Sequence, residues 1–131
     1  MIYLCGPIKD RTDDECVAWR EKAAELLSPI PILNPIRRDY RGHEAEPGIA
    51  RKIVQDDLDD INNSRALLVM YDKPSVGTSM EIFYAAWYRK IPVYVVNISG
   101  EKWVSPWLMH HTTMAFHNLV DACDYIKHGW R

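Results

Sequence analysis

The chain has 131 residues, of which 47% are hydrophobic and 26% charged, with a formal net charge of -2. That is ordinary for one soluble globular domain spanning residues 1–131, and long enough to bury a core without disulfide staples. The lack of a basic excess excludes a global field for a nucleic-acid polymer, so a small ligand bound by local donors is expected instead.

Three cysteines, Cys5, Cys16 and Cys123, are odd in number and carry no metal-like spacing. They fit core packing in a reducing compartment, and neither metal nor cofactor is expected. No apolar run is long enough for a bilayer, and Asp10 and Arg11 interrupt any signal-peptide pattern, so a cytoplasmic chain without a membrane partner is expected.

In chain order, Met1 to Cys5 is an apolar run stopped by Gly6-Pro7, a buried strand ending in a loop. Thr12 and Glu15 form a capping box, with Asp13 and Asp14 in the first turn of a helix that stops before Ser28-Pro29. Ile30, Ile32 and Leu33 make a short second strand, closed by Asn34-Pro35. Ile36 to Glu46 is a polar, arginine-rich loop, and loops of that length inside a compact domain are usually functional. A helix follows Pro47-Gly48 and runs to about Asn63. Ala66 to Tyr71 is a solidly apolar strand, and the stretch from Lys73 to Ser79 is a turn. A third helix is expected from Met80 to Arg89 and a strand from Ile91 to Val96. A short helix from Ser105 to about His110 and an amphipathic one from Leu119 to Lys127 complete the pattern. Apolar strands alternating with helices are buried on both faces, which predicts a three-layer, doubly wound α/β domain.

Ligands of such folds bind outside the carboxyl ends of the strands, here the loops after Cys5, Leu33, Tyr71 and Val96. In the third helix Glu81 is the single acid between Met80 and Tyr88, flanked by Phe83, Tyr84 and Trp87. An all-round apolar helix is expected to be buried, with Glu81 in its first turn, complementing the dipole or doing chemistry. On the second helix Asp57 falls near the middle of the apolar arc of Ile49, Ile53, Val54, Leu58 and Ile61, and Asp60 lies at its edge. A carboxylate there must be bonded to nearby backbone or to Arg65, or be functional. Two carboxylates in different environments are the minimum kit for glycosidic chemistry. Ser75 to Ser79 before a helix start suits a phosphate, although the signature of a P-loop is missing.

Tyr3 to Ile8 (Y-L-C-G-P-I), Gln55 to Leu58 (Q-D-D-L) and Ser75 to Ala85 (S-V-G-T-S-M-E-I-F-Y-A) resemble the nucleoside 2-deoxyribosyltransferase superfamily. That group includes deoxynucleoside 5′-monophosphate N-hydrolases and CMP N-glycosidases. The likeness implies a flavodoxin-like or Rossmann-like domain with a mainly parallel five-stranded sheet. It implies Glu81 as nucleophile, Asp57 as the acid at the leaving base and Tyr3 as the residue orienting the nucleophile. Gly6, Ile8, Gly77 and Ser79 then line the substrate. Ser75 and Ser105 match serines that the monophosphate hydrolases carry where the transferases have aspartate and asparagine, with Ser105 entering from a neighbouring subunit. Arg37 and Arg38, in N-P-I-R-R-D-Y-R-G, match a loop of the CMP hydrolases and imply base or phosphate contact. The segment after Ile8 and the C-terminal H-G-W-R depart from the pattern.

The expectation is therefore a glycosidase releasing free base and a (deoxy)ribose 5-phosphate from a (deoxy)nucleoside 5′-monophosphate. The rivals are a deoxyribosyltransferase and a non-catalytic nucleotide binder. A homodimer or higher homo-oligomer with shared active sites is expected from the apolar cluster Trp103, Val104, Pro106, Trp107, Leu108 and Met109. The pair His110-His111 is expected to serve surface or packing roles.

Overall fold

A computed structural model of the chain describes residues 1–8, 11–40, 42–102 and 105–129. Strands β1 (Ile2–Cys5), β2 (Ile32–Leu33), β3 (Ala66–Tyr71), β4 (Val93–Asn97) and β5 (Met114–Phe116) alternate with helices α1 (Asp13–Leu27), α2 (Ile49–Asn62), α3 (Val76–Phe83), α4 (Pro106–His111) and α5 (Leu119–His128). All pairings are parallel, in the order β2-β1-β3-β4-β5, the flavodoxin-like arrangement. Its topological switch point lies between β1 and β3, where the loops after Cys5 and Tyr71 open a crevice.

The strand period of two sorts the core into two layers. Ile2, Leu4, Ala66, Leu68 and Val96 pack with Ala23 and Leu27 of α1 and Ala122, Cys123 and Ile126 of α5. Tyr3, Cys5, Leu67, Val69 and Val95 point the other way, onto Ile61 of α2 and Ile82 and Ala85 at α3. Tyr3 and Cys5 therefore face the same layer as α2 and α3. The capping box of α1 is present, with Thr12 accepting from the Glu15 amide and Glu15 from the Thr12 amide.

The structure corrects the third helix in two ways. It begins at Val76, so Glu81 is its sixth residue, in the second turn rather than the first. It is not buried all round either: Met80, Phe83, Trp87 and Tyr88 are 69%, 44%, 60% and 69% exposed. From Tyr84 to Arg89 it continues as a π-helix, which Lys90 ends in the left-handed region at φ 56°.

Smaller differences have backbone causes. The second strand shrinks to Ile32–Leu33, because Pro31 has no N–H and instead accepts from Ile2. Pro92 likewise delays β4 to Val93 while its carbonyl takes the Leu67 amide. Pro35–Arg37 forms a 3-10 turn inside the expected loop. Edge strand β5 had not been read from the segment that carries it: at three residues, mostly exposed, it has too little pattern to see. The three cysteines are buried and free. Among the described residues no helix is long and apolar enough to cross a membrane.

Candidate active site

Residues two apart on a strand share a face, so β1 presents both Tyr3 and Cys5 to α3. Each meets one oxygen of Glu81: the Tyr3 hydroxyl donates to Oε2, and the Cys5 Sγ lies 3.6 Å from Oε1. Tyr3 is fully buried, and a buried phenol needs such a partner. Burial, and then the Glu81 charge, push the Tyr3 phenol far above its usual range, so it remains a donor. Burial first, and then the Asp57 charge, raise the Glu81 carboxyl to about 7, with Tyr3, Cys5 and Arg20 acting in the opposite sense.

Asp57 comes from α2, and its surroundings differ. Burial raises its carboxyl above the usual range, opposed by Arg38, whose Nη2 lies 3.3 Å from Asp57 Oδ1. The partner of Asp57 is thus Arg38 rather than Arg65. Asp60, read as lying at the edge of the apolar arc, is the buried one, at 6% exposure. Arg37 grips it through two bonds of 2.9 and 2.8 Å, and Arg38 through a third of 2.8 Å. Burial works against the Asp60 charge, yet the two arginines hold its carboxyl below the usual range. Tyr40 donates to Asp56, so the 34–40 segment is tied down on α2 by charge-assisted bonds.

These elements enclose a cleft of about 210 Å³ lined by Gly6, Ile8, Arg38, Asp57, Gly77 and Glu81. Ser75 and Thr78 line it too, and also a second cavity of about 470 Å³ that contains Ser79, Ser105, Trp107 and His111. The predicted residues thus divide. Tyr3 sits beneath the cleft, bonded to Glu81, and Arg37 is outside the lining, spent on Asp60. Ser79 and Ser105 belong to the second cavity, where Ser105 also caps α4 by accepting from the Trp107 amide at 3.1 Å. Of the apolar cluster expected at an interface, Trp103 and Val104 lie outside the described residues. His111 stacks on Trp107 and meets Phe83 edge-on.

Several groups at or near the site had not been read as functional. Cys5 had been assigned to packing, and nothing in Y-L-C-G signals that its thiol meets a carboxylate. The Thr78 hydroxyl is buried beside the cleft with no hydrogen-bond partner among the described residues. Arg11 forms a two-pronged pair with Asp72, at 2.6 and 3.0 Å, joining the loops after β1 and β3. Among the described residues no cluster of His, Cys, Asp and Glu is arranged to hold a metal ion.

A carboxylate with fixed oxygens, a second carboxyl of raised proton affinity and hydroxyl groups alongside are the kinds of group that glycosidic cleavage uses. Comparison with solved structures shows the same fold. The chain superposes on a 2-deoxyribosyltransferase from Bacillus psychrosaccharolyticus with a TM-score of 0.76 and 19% identity, covering 95% of this chain and 90% of that one. It is also similar to a conserved protein from Enterococcus faecalis V583, with a TM-score of 0.75, 18% identity and 96% of each chain covered. No curated protein sequence matches it. The family model for nucleoside 2-deoxyribosyltransferase matches residues 2–123, nearly the whole chain, and the chain belongs to that family of enzymes.

Proposed function

We propose that this chain cleaves the N-glycosidic bond of a (deoxy)nucleoside 5′-monophosphate, releasing free base and (deoxy)ribose 5-phosphate. The observation that carries the reading is Glu81, whose two oxygens are met by Tyr3 and Cys5 at a cleft shared with Asp57. Ionised Glu81 attacks C1′ as the C1′–N bond breaks, and the bonding pair leaves with the base, which takes a proton from Asp57. The ester formed between Glu81 and the sugar is then attacked at C1′ by water, whose proton goes to Asp57. Glu81 is released with its carboxylate restored. Arg38 keeps Asp57 aimed through its 3.3 Å contact, while Arg37 and Asp60 hold that arginine's segment.

The choice of a monophosphate rests on hydroxyl groups. Ser75, which makes no capping bond to α3, Ser79 and Ser105 line the second cavity, and Ser75 links it to the cleft. Hydroxyls donate to phosphate oxygens without adding charge. Ser75→Asp is expected to lower kcat/KM for the monophosphate by at least about tenfold, since charge-assisted bonds of about 1.5–3 kcal/mol become repulsion. Activity on the matching nucleoside falls much less. Aspartate is a favoured residue at a helix N-cap, so the fold should persist. A wild-type preference for the nucleoside would remove the phosphate reading and leave the glutamate chemistry intact.

The family match is equally compatible with a second reading, transfer of a deoxyribosyl group to another base. Incubating nucleosides and 5′-monophosphates with and without an acceptor base separates the two. Free base from a monophosphate supports hydrolysis, and exchanged nucleoside supports transfer. A non-catalytic binder would produce neither.

We place the chain in the cytoplasm, as at least a homodimer whose neighbour completes each site. Val76, Met80, Trp87, Tyr88 and Trp107 are all at least 60% exposed, and exposed apolar faces of this kind mark interfaces. Sedimentation at assay concentration is expected to give a dimer or larger species. A fully active monomer would count against shared sites.

A further inference from the structure

Helix α1 buries a cation that glycosidic cleavage, as laid out above, does not use. Arg20 is 0% exposed, yet among the described residues no carboxylate pairs with it. Its Nη1 donates to the Cys16 carbonyl at 2.7 Å and its Nη2 to the Gly6 carbonyl at 2.9 Å. The Trp19 ring covers the guanidinium at 4.7 Å, and among the described residues Nε has no partner. Burying an arginine without a contacting anion costs several kcal/mol, so an ordinary core position would be filled by leucine or methionine.

What surrounds it points to the reacting group. Gly6 lines the cleft with Glu81 and directly follows Cys5, whose thiol touches Glu81 Oε1. A Cβ at Gly6 would come within 2.9 Å of Trp19, so the Gly6 backbone is pressed against the Trp19–Arg20 pair. We infer that Arg20 is a positioning residue, which anchors the Gly6–Ile8 wall of the cleft through the Gly6 carbonyl and supplies the buried positive charge that offsets ionised Glu81.

The groups acting on Glu81 come from each element around it: Tyr3 and Cys5 from β1, Asp57 from α2 and Arg20 from α1. Among the described residues that act most strongly on Glu81, Arg20 is the cation, opposing both burial and the like charge of Asp57. Arg20 in turn feels burial first, then Cys5, Cys16, Tyr3 and Glu81. Asp57 has its own cation in Arg38. The two carboxyls are thus served by separate arginines, one behind the nucleophile and one beside the acid.

The stability test does not depend on Glu81 being the nucleophile, while its kinetic companion does. Thermal unfolding is measured for wild type, Arg20→Met, Glu81→Gln and the double variant at pH 8 and pH 5. At pH 8 the change in Tm caused by Arg20→Met, whatever its sign, should be less favourable by about 4 °C when Glu81 is present than in the Glu81→Gln background. At pH 5, with Glu81 protonated, the difference should vanish. Equal effects in both backgrounds at pH 8 would overturn the countercharge role and leave Arg20 as a structural cation. Should Arg20→Met not fold, Arg20→Gln takes its place in the same cycle, because its shorter amide removes the charge while keeping a polar donor in the pocket. In the kinetic arm, the acid limb of kcat/KM should move up by about one pH unit in the neutral variant and stay within about 0.3 in Arg20→Lys. A limb that does not move in the neutral variant argues against the inference. Absence of turnover in wild type on every substrate would defeat the proposed function, and the unfolding cycle would still decide the role of Arg20.

Discussion

Glu81→Ala is expected to fold and to lose turnover by about 10⁴-fold or more, because the covalent route disappears with its nucleophile. Stopped assays on purified, folded variant provide the check, and near-normal activity would remove the central proposal. Glu81→Gln adds a pH test. The folded carboxyl titrates at about 7, above the 4.5 of an unperturbed glutamate. The folded state therefore binds the proton more tightly than the unfolded chain. That contribution to stability is complete below the unfolded value and is lost as pH rises through about 7. At pH 8 ionised Glu81 costs up to about 3 kcal/mol, a cost the amide cannot incur. The Tm of Glu81→Gln relative to wild type should thus climb between pH 5 and pH 8, by as much as roughly 10 °C. Over the same range the wild-type kcat/KM should follow a bell, rising as the nucleophile ionises and falling as the proton needed on Asp57 is lost. A Tm difference that is flat with pH would mean that Glu81 ionises without strain.

Asp57→Asn should retain the fold and lose activity by about 10²–10³-fold in kcat, the size expected for a general acid. An amide keeps a contact with Arg38 but has no proton to give the departing base. The loss should shrink for a sugar carrying a leaving group that departs without protonation, such as a nitrophenolate. Because the Asp57 charge helps hold the Glu81 carboxyl up, the acid limb of the residual activity should also move to lower pH. Reduced stability with an unchanged rate per folded molecule would make Asp57 a structural partner of Arg38 and nothing more.

Much of this was legible in the order of residues. The capping box at Thr12, the unbroken apolar run from Ala66 to Tyr71 and the stop at Gly6-Pro7 are local signals. Capping and strand burial obey local rules, so they survived into the fold, with the starts of β2 and β4 shifted where prolines withhold an N–H. The oddity of Glu81 and Asp57 was equally plain, since an acid on an apolar surface stands out in any wheel or window. Sequence also placed α3, but with its start at Met80, because Gly77 and the flanking serines look like turn residues. The structure runs the helix through them and so moves Glu81 out of the first turn.

What no window could contain was partnership. Tyr3 and Glu81 are 78 residues apart, Arg37 and Asp60 are 23 apart, and Arg20 reaches Gly6 across 14. Parallel pairing of β1 with β3 and the crossovers onto each face bring these groups together, and burial then turns a tyrosine, a thiol and an arginine into determinants of one carboxylate. Exposure was decided at the same level. The aromatic side of α3 looks like core from composition, yet the sheet needs only the face carrying Thr78, Ile82 and Ala85. Sequence by itself determined which residues are chemically out of place. Only the tertiary structure decided which of them meet, because that depends on strand order and on which helix covers which face, and neither is encoded within any single stretch of the chain.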